Sequence, residues 1–418
     1  MNYYKWIKSL SYFTIIQVLV QGINAVAGLL IVRNFPKDEL AYYTIIATVL
    51  TTLLNVSDMG LNSSLIAIGS KKNDESYLNE VFSSALYIRK RLMVVALIYA
   101  IIISFFFFKK IASISYILII LTLTLTEWII RFYSTLMDVY ARIKQHLNIL
   151  QVSALLYNGI RSGFIIILII SLPYTWITCL SGVFAALICY RYYKKNTLSL
   201  NYRGPVNLLL KKELLVLAKK QWLFIVYSLF QYQISLFLIS YFGNTTSLAD
   251  FGALSRLAIL FQILNTVLST IVCPAFSKIT DYKKASKILF LIYFSYSCLS
   301  LVLYFFVKFA PYLFLALIGK QYEYLSKELL IMVVATLLSN ASIVILNINQ
   351  VKGWLGSLWF VPIASTLIQV VYIYLYGVSS LANIILMSVY VNMAVLLINV
   401  HMNWKGMQKM KLNNNAIS

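Results

Sequence analysis

The sequence contains few charged residues. Asp, Glu, Lys and Arg together form 11% of its 418 residues, whereas an average soluble domain carries about 25%. Apolar residues reach 61%. This composition argues against a water-soluble enzyme. It predicts an all-α integral membrane protein, in which each helix that crosses the bilayer needs about 20 apolar residues.

Residue types that bind metals or form disulfides are also scarce. The four cysteines and two histidines lie in or beside apolar segments, without the spacing of a metal site or a disulfide framework (Cys179, Cys189, Cys273, Cys298, His146, His401). The sequence contains no phosphate-binding loop and no nucleophile elbow. We therefore expect no metal, no cofactor and no enzymatic activity.

Twelve apolar runs predict about twelve transmembrane helices. The longest basic segment separates six runs from the other six, which predicts two six-helix halves. The expected organisation is an N-terminal bundle, a cytoplasmic linker with an interfacial helix, a C-terminal bundle and a cytoplasmic tail (1–195, 196–220, 221–403, 404–418). A similar tetrapeptide begins the second long helix of each half, 208 residues apart, at Leu40 and at Leu248.

The basic residues are unevenly distributed between the two sides of the predicted spans. With the N-terminus inside, 25 of the 35 Lys and Arg residues fall in inner segments, seven in outer segments and three within spans. Inner loops of membrane proteins carry such an excess. The split predicts that both termini lie in the cytoplasm, and it accounts for the net charge of +22 without a nucleic-acid partner.

Four charged residues share one face of the fourth predicted span: Glu127, Arg131, Asp138 and Arg142. They form two pairs spaced i,i+4. Ionised side chains are costly in lipid, so this face must contact protein or water. It is either a structural ladder of ion pairs or the wall of a polar cavity.

Other polar residues within the spans are candidates for binding. Arg161 either pairs with a carboxylate of the fourth span or binds an anionic substrate through its planar fork. Arg256 either reaches the outer interface beside Asp250 or binds the same substrate. Amides at helical spacing either hold helices together or bind sugar hydroxyls (Gln17, Gln21, Asn24, Asn340, Asn347, Asn392, Asn399). Asp58, which precedes Met59-Gly60, is expected at a helix break.

Three stretches resemble a known family. Residues 32–39 leading into Tyr42-Tyr43, residues 57–61, and residues 310–330 with Ile318-Gly319-Lys320 resemble segments of polysaccharide flippases. These belong to the multidrug/oligosaccharidyl-lipid/polysaccharide exporter superfamily, and the similarity is greatest to O-antigen flippases of the Wzx type. Asn34-Phe35 departs from the Leu-Gly that the family often has.

The resemblance implies a central cavity between the two six-helix halves, a function and a set of site residues. It implies that the chain moves an undecaprenyl-diphosphate-linked oligosaccharide to the outer leaflet of the bacterial inner membrane, by alternating access. The implied partners are this substrate, the bilayer, a glycan polymerase and a chain-length regulator. Candidate residues for substrate binding are Arg131, Arg161, Arg256, Gln21, Asn24 and Asn340, and those for ion coupling are Glu127, Asp138 and Asp58.

Two other functions remain open at this stage. One is a small-molecule or drug antiporter of the same fold, which would need an apolar pocket with an acidic trap for cations. The other is an integral-membrane glycan polymerase, although such enzymes usually carry a large outer loop that is absent here.

Overall fold

The structure is a computed structural model of the whole chain. It describes all residues except 1–2, 72–73, 109–112, 145, 198–199, 203, 243–244, 268–275, 277–278, 280, 355, 357, 379 and 416–418. The described residues form helices, turns and bends, without a strand. Their contacts divide the chain into two compact units, residues 34–240 and residues 1–33 with 241–418. We call them the central unit and the terminal unit.

The central unit consists of helices that follow one another through short connections. They are α2 (Lys37–Asp58), α3 (Leu61–Gly69), α4 (Glu75–Phe108), α5 (Ile114–Ile143), α6 (Leu147–Leu168), α7 (Thr175–Asn196) and most of α8 (Leu208–Phe242). Leu61, Phe82, Phe132 and Leu214, from four of these helices, pack in one buried cluster. Fully buried Trp128 donates its Nε1 hydrogen to the Leu53 carbonyl at 3.1 Å, which joins α5 to α2.

The terminal unit contains the first helix and the chain from residue 241 onward. Its helices are α1 (Tyr3–Asn34), α9 (Thr245–Val267), α10 (Tyr282–Phe309), α11 (Pro311–Ile318), α12 (Ser326–Lys352), α13 (Phe360–Tyr376) and α14 (Leu381–Asn415). A short 3-10 helix, Lys320–Leu325, precedes α12. Gln321 Nε2 donates to the Val32 carbonyl at 3.5 Å, so the end of α1 contacts this unit.

Two features of the chain path bear on the predicted organisation. The sequence predicts an interfacial helix within residues 196–220. In the structure the helix that begins at Leu208 continues to Phe242 as α8, and no Gly or Pro interrupts it. The contacts also group α1 with the C-terminal helices. The bundle boundaries at residues 195, 220 and 403 stay a prediction.

The expected helix break at Asp58 is present. The helix α2 ends at Asp58, Met59 has φ 44° and Gly60 has φ 80°, and α3 begins at Leu61. Such left-handed geometry suits glycine and is rare for a residue with a side chain. The second predicted span is therefore two helices rather than one.

Each unit has a tyrosine that donates to an acid in the first turns of a neighbouring helix. In the central unit, Tyr116 donates to Glu39 Oε2 at 2.7 Å, and the same oxygen accepts the backbone N–H of Thr175 at 2.7 Å. In the terminal unit, Tyr324 donates to Asp250 Oδ1 at 2.6 Å. Tyr116 and Tyr324 are 208 residues apart, the same spacing as Leu40 and Leu248.

Within the described residues, seven helices are long and apolar enough to cross a membrane: α2, α5, α6, α7, α10, α14, and α12 together with the 3-10 helix before it. Part of α1 and the whole of α13 are shorter apolar helices. The prediction of an all-α membrane fold is confirmed.

Candidate functional site: charged clusters within the central unit

Glu127, Arg131 and Arg161 come together around the hydroxyl of Tyr157. Tyr157 donates to Glu127 Oε1 at 2.6 Å. Its oxygen accepts from Arg131 at 3.1 Å and from Arg161 at 3.5 Å. Arg131 also forms an ion pair with Glu127 Oε1 at 3.5 Å and stacks on the Tyr157 ring at 4.7 Å. We call these four residues the Tyr157 cluster.

Glu127 reaches this position because α7 has a glycine opposite it. A Cβ atom at Gly182 would lie 2.1 Å from Glu127 Oε2, which is closer than any real contact. The carboxylate thus lies directly against the α7 backbone, and its side chain is only 2% exposed. This contact could not be predicted from the sequence, since Gly182 is 55 residues from Glu127 and lies in an ordinary apolar run.

The Tyr157 cluster carries two formal positive charges and one negative charge. Arg161 donates to the Tyr157 hydroxyl rather than joining the ion pairs of Glu127 or Asp138, and its Nε is buried without a hydrogen-bond partner. Both expected i,i+4 pairs of α5 exist, with Arg142 Nε 2.7 Å from Asp138 Oδ2. The ion-pair ladder is therefore present, and Arg161 adds a cation that the ladder does not neutralise.

Asp138 belongs to a second cluster along the same helix. Its Oδ1 accepts from Tyr193 at 2.9 Å, and Tyr193 in turn accepts from Ser153 at 2.6 Å. With the Arg142 pair, this arrangement uses both carboxylate oxygens. The predicted stripe on α5 thus divides into two clusters, each completed by a tyrosine from another helix.

Asp58 has a partner that the sequence did not identify. Arg89 lies in α4 with a side chain only 2% exposed, 3.7 Å from Asp58 Oδ1, and it donates to Thr135 Oγ1 at 2.9 Å. Its guanidinium also lies 5.0 Å from the centre of the Phe132 ring. In the sequence Arg89 stands next to Lys90 and Arg91, in a predicted inner segment. In the structure it lies within α4, which begins at Glu75, and contacts α5.

The other predicted substrate residues lie in the terminal unit. Gln21 and Asn24 are half-buried on α1, Arg256 is half-buried on α9, and Asn340 is buried on α12. Gly28 of α1 lies against α9. A Cβ atom at Gly28 would be 3.5 Å from Arg256 Cδ. Asp250, the predicted neighbour of Arg256, accepts from Tyr324.

Two of the amides serve helix packing. Asn392 Nδ2 donates to the Ala335 carbonyl at 3.0 Å, and Asn399 Nδ2 donates to Ser342 Oγ at 2.7 Å. Asn349, which the sequence did not single out, donates to the Asn399 carbonyl at 2.9 Å and accepts from Asn403. The alternative that these amides join helices therefore holds for α12 and α14.

Metal-binding groups do not cluster among the described residues. Cys179 and Cys189 are buried, Cys298 is exposed, and all three are free thiols. Cys273 lies outside the described residues.

No protein-family model matches the chain, and no curated protein matches its sequence. Solved structures do match. An inward-facing multidrug resistance MATE family transporter of the MOP superfamily superimposes with a TM-score of 0.72 at 13% identity, over 97% of this chain and 100% of the other.

Two further structures show the same similarity. An outward-facing multidrug resistance MATE transporter gives a TM-score of 0.63 at 14% identity, over 97% of this chain and 96% of the other. A MOP superfamily transporter from Pyrococcus furiosus gives 0.66 at 16% identity, with the same coverage. The chain therefore has the fold of the MATE transporters of the MOP superfamily, a multi-pass membrane fold with twelve transmembrane helices in two halves.

Proposed function

We propose that this chain is a membrane transporter, not an enzyme, and that it carries an amphipathic anion across the bilayer by alternating access. The observation that supports an anion is the Tyr157 cluster, where among the described residues Arg131 and Arg161 share a single carboxylate, that of Glu127. An arginine is permanently charged and binds phosphate oxygens through its planar fork. An anionic substrate would neutralise the remaining charge.

The substrate that the sequence resemblance suggests is a diphosphate-linked oligosaccharide on a polyprenyl carrier. In this proposal Arg131, Arg161 and Arg256 bind the diphosphate, while Gln21, Asn24 and Asn340 bind sugar hydroxyls. The polyprenyl tail stays in lipid. The bacterial inner membrane, cytoplasmic termini, and partnership with a glycan polymerase and a chain-length regulator belong to the same proposal.

Small-molecule antiport is the second candidate, and the names of the similar structures favour it over lipid-linked oligosaccharide, since two of them are multidrug transporters. A third carries a title stating that the reversed polarity of its binding pocket suggests a different function. The fold thus accommodates pockets of either charge. The excess of arginine in the Tyr157 cluster is what favours an anion for this chain.

Ion coupling by Glu127, Asp138 or Asp58 is also part of the proposal. Each carboxylate lies within 4 Å of an arginine. A carboxylate that carries the coupling ion has to give up its ion pair with arginine and bind a proton or a metal cation instead during the transport cycle. Replacing each with its amide and measuring the dependence of transport on pH and on sodium would identify the carrier.

The decisive experiment is a deletion strain analysed for lipid-linked repeat units and for drug susceptibility. Flippase function predicts that repeat units accumulate on the inner leaflet and that the gene relieves the accumulation. Antiport predicts normal glycan and increased susceptibility. If neither phenotype appears, both candidate substrates are wrong.

Arg161→Gln tests the residue on which the charge argument rests. We expect normal amounts of protein in the membrane, a loss of export of tenfold or more, and partial recovery with Arg161→Lys, which keeps the charge but loses the fork. Arg91→Gln is the control, since Arg91 is exposed and stacks on Tyr87. Normal export by Arg161→Gln would remove Arg161 from the substrate path.

A further inference from the structure

The break between α2 and α3 borders an apolar cavity in the central unit. At this break Met59 and Gly60 both adopt left-handed backbone geometry, and the Met59 N–H donates to the Asn55 carbonyl at 2.9 Å. Left-handed geometry at a residue with a side chain is held by its surroundings and often marks a functional position. Here it sets the side chains of Met59 and Leu61 into one wall of the cavity.

The remaining walls come from α4 and α8. The cavity has a volume of about 410 Å³, within the range of sites that bind small ligands. Its lining is Met59, Leu61, Ile88, Leu92, Leu215, Ala218, Lys219 and Trp222. Among the described residues that line the cavity, Lys219 is the one with a charge. A space with such walls suits a hydrocarbon chain rather than a sugar or a nucleotide.

The residues at the edge of the cavity indicate which head group accompanies that chain. Lys219 is exposed, and Trp222 is half-exposed at 52%. They are three residues apart on α8, hence on the same face. A lysine pairs with a lipid phosphate, and the indole N–H of an interfacial tryptophan finds a polar partner at the level of the head groups. A glycerophospholipid offers ester carbonyls just beneath its phosphate, whereas a polyprenyl phosphate has none.

We propose that this cavity, between the Met59–Gly60 break, α4 and α8, binds one acyl chain of an anionic glycerophospholipid, with Lys219 on the phosphate and Trp222 on an ester carbonyl. The site is separate from the Tyr157 cluster and does not depend on the transported substrate. The lipid fills apolar space beside α4, the helix that carries Arg89 to Asp58.

Native mass spectrometry of the purified protein tests the site. The full chain is reconstituted with phosphatidylglycerol or phosphatidylcholine, and the retained lipid is counted. We expect retention of phosphatidylglycerol to exceed that of phosphatidylcholine roughly fivefold, the ratio expected for one lysine close to an anionic head group. Lys219→Gln removes this preference, and Ala218→Phe, which fills the cavity, removes retention of both lipids.

Two matched variants on α8 serve as controls. Lys212→Gln removes an exposed lysine, and Val216→Phe enlarges a half-exposed residue that does not line the cavity. Both should retain lipid as the unchanged protein does. Equal losses in Lys212→Gln and Lys219→Gln would overturn the site, as would an unchanged preference in Lys219→Gln. Displacement of phosphatidylglycerol by an equal amount of polyprenyl phosphate would overturn the assignment of the lipid. If Ala218→Phe fails to fold, the comparison of Lys219→Gln with Lys212→Gln alone decides whether the site exists.

Discussion

At the scale of single residues, tyrosine hydroxyls organise the two charged clusters on α5. Tyr157 serves Glu127, Arg131 and Arg161, and Tyr193 serves Asp138. A hydroxyl donates one hydrogen bond and accepts others, so it can sit between a carboxylate and a guanidinium and satisfy both. This suits a cluster where the charges do not balance, because the tyrosine keeps the excess arginine in place without neutralising it.

Gly182→Ala should destabilise the protein, because the added methyl would meet Glu127 Oε2 at 2.1 Å. Overpacking of this kind costs about 1–3 kcal/mol. The measurement is the thermal midpoint of the detergent-purified protein. Gly163→Ala is the control, since a Cβ atom there would find no atom within 4 Å. The loss should largely disappear when Glu127→Ala is combined with Gly182→Ala. A loss that is the same in either background would show that the contact is not its cause.

At the scale of helices, the polar contacts between different helices are of two kinds. The central unit joins helices through charged groups and tyrosines, whereas α12 and α14 in the terminal unit are joined by amides. Asn399 bonds Ser342, and Asn349 bonds both the Asn399 carbonyl and Asn403. Amides between membrane helices contribute modestly, on average about 0.6 kcal/mol and at most about 1.7 kcal/mol.

Asn399→Ala should therefore lower the free energy of unfolding by about 0.6 to 1.7 kcal/mol, since its Nδ2 donates to both the hydroxyl and the carbonyl of Ser342. Asn383→Ala, at the start of α14, provides the comparison: Asn383 is half-buried and its amide donates one long hydrogen bond, to the Tyr376 carbonyl at 3.5 Å, so the loss should be smaller. Unfolding in mixed detergent, followed by circular dichroism, measures both. Equal effects of the two substitutions would contradict a packing role for Asn399.

At the scale of the whole molecule, the side of the membrane on which each loop lies remains a prediction from the distribution of lysine and arginine. One exposed ion pair joins two predicted inner segments: Lys71 Nζ bonds Glu213 at the start of α8. This hydrogen bond raises the pKa of Lys71. The pair is solvent-exposed, and salt should weaken it.

Cysteine accessibility tests the topology. In a version without native cysteines, Ser76→Cys should resist a membrane-impermeant thiol reagent in intact spheroplasts, and Asp38→Cys should react. Both positions are exposed, so burial does not explain a difference. Reaction at Ser76→Cys together with protection at Asp38→Cys would reverse the orientation.

The fold was predictable from the sequence, because apolar runs of the length of a bilayer have few other solutions. The helix break at Asp58 and the i,i+4 pairs of α5 were also predictable, since both depend on neighbours in sequence. The partners across helices were not. Tyr157 gave no signal beyond its spacing from Arg161, Gly182 looked like any small residue in an apolar run, and Arg89 looked solvated beside Lys90.

The spacing of 208 residues between Tyr116 and Tyr324 has a consequence for biosynthesis. The bonds of Tyr116 and Thr175 to Glu39 use only residues of the first half, and the bond of Tyr324 to Asp250 uses only residues of the second. At about 5–20 residues per second, a ribosome needs roughly 10 to 40 s to produce the 208 residues between the two tyrosines. Glu39, Tyr116 and Thr175 have all been synthesised before Asp250 exists. The nascent chain can therefore form the hydrogen bonds to Glu39 during translation, before the acid that accepts from Tyr324 has been made.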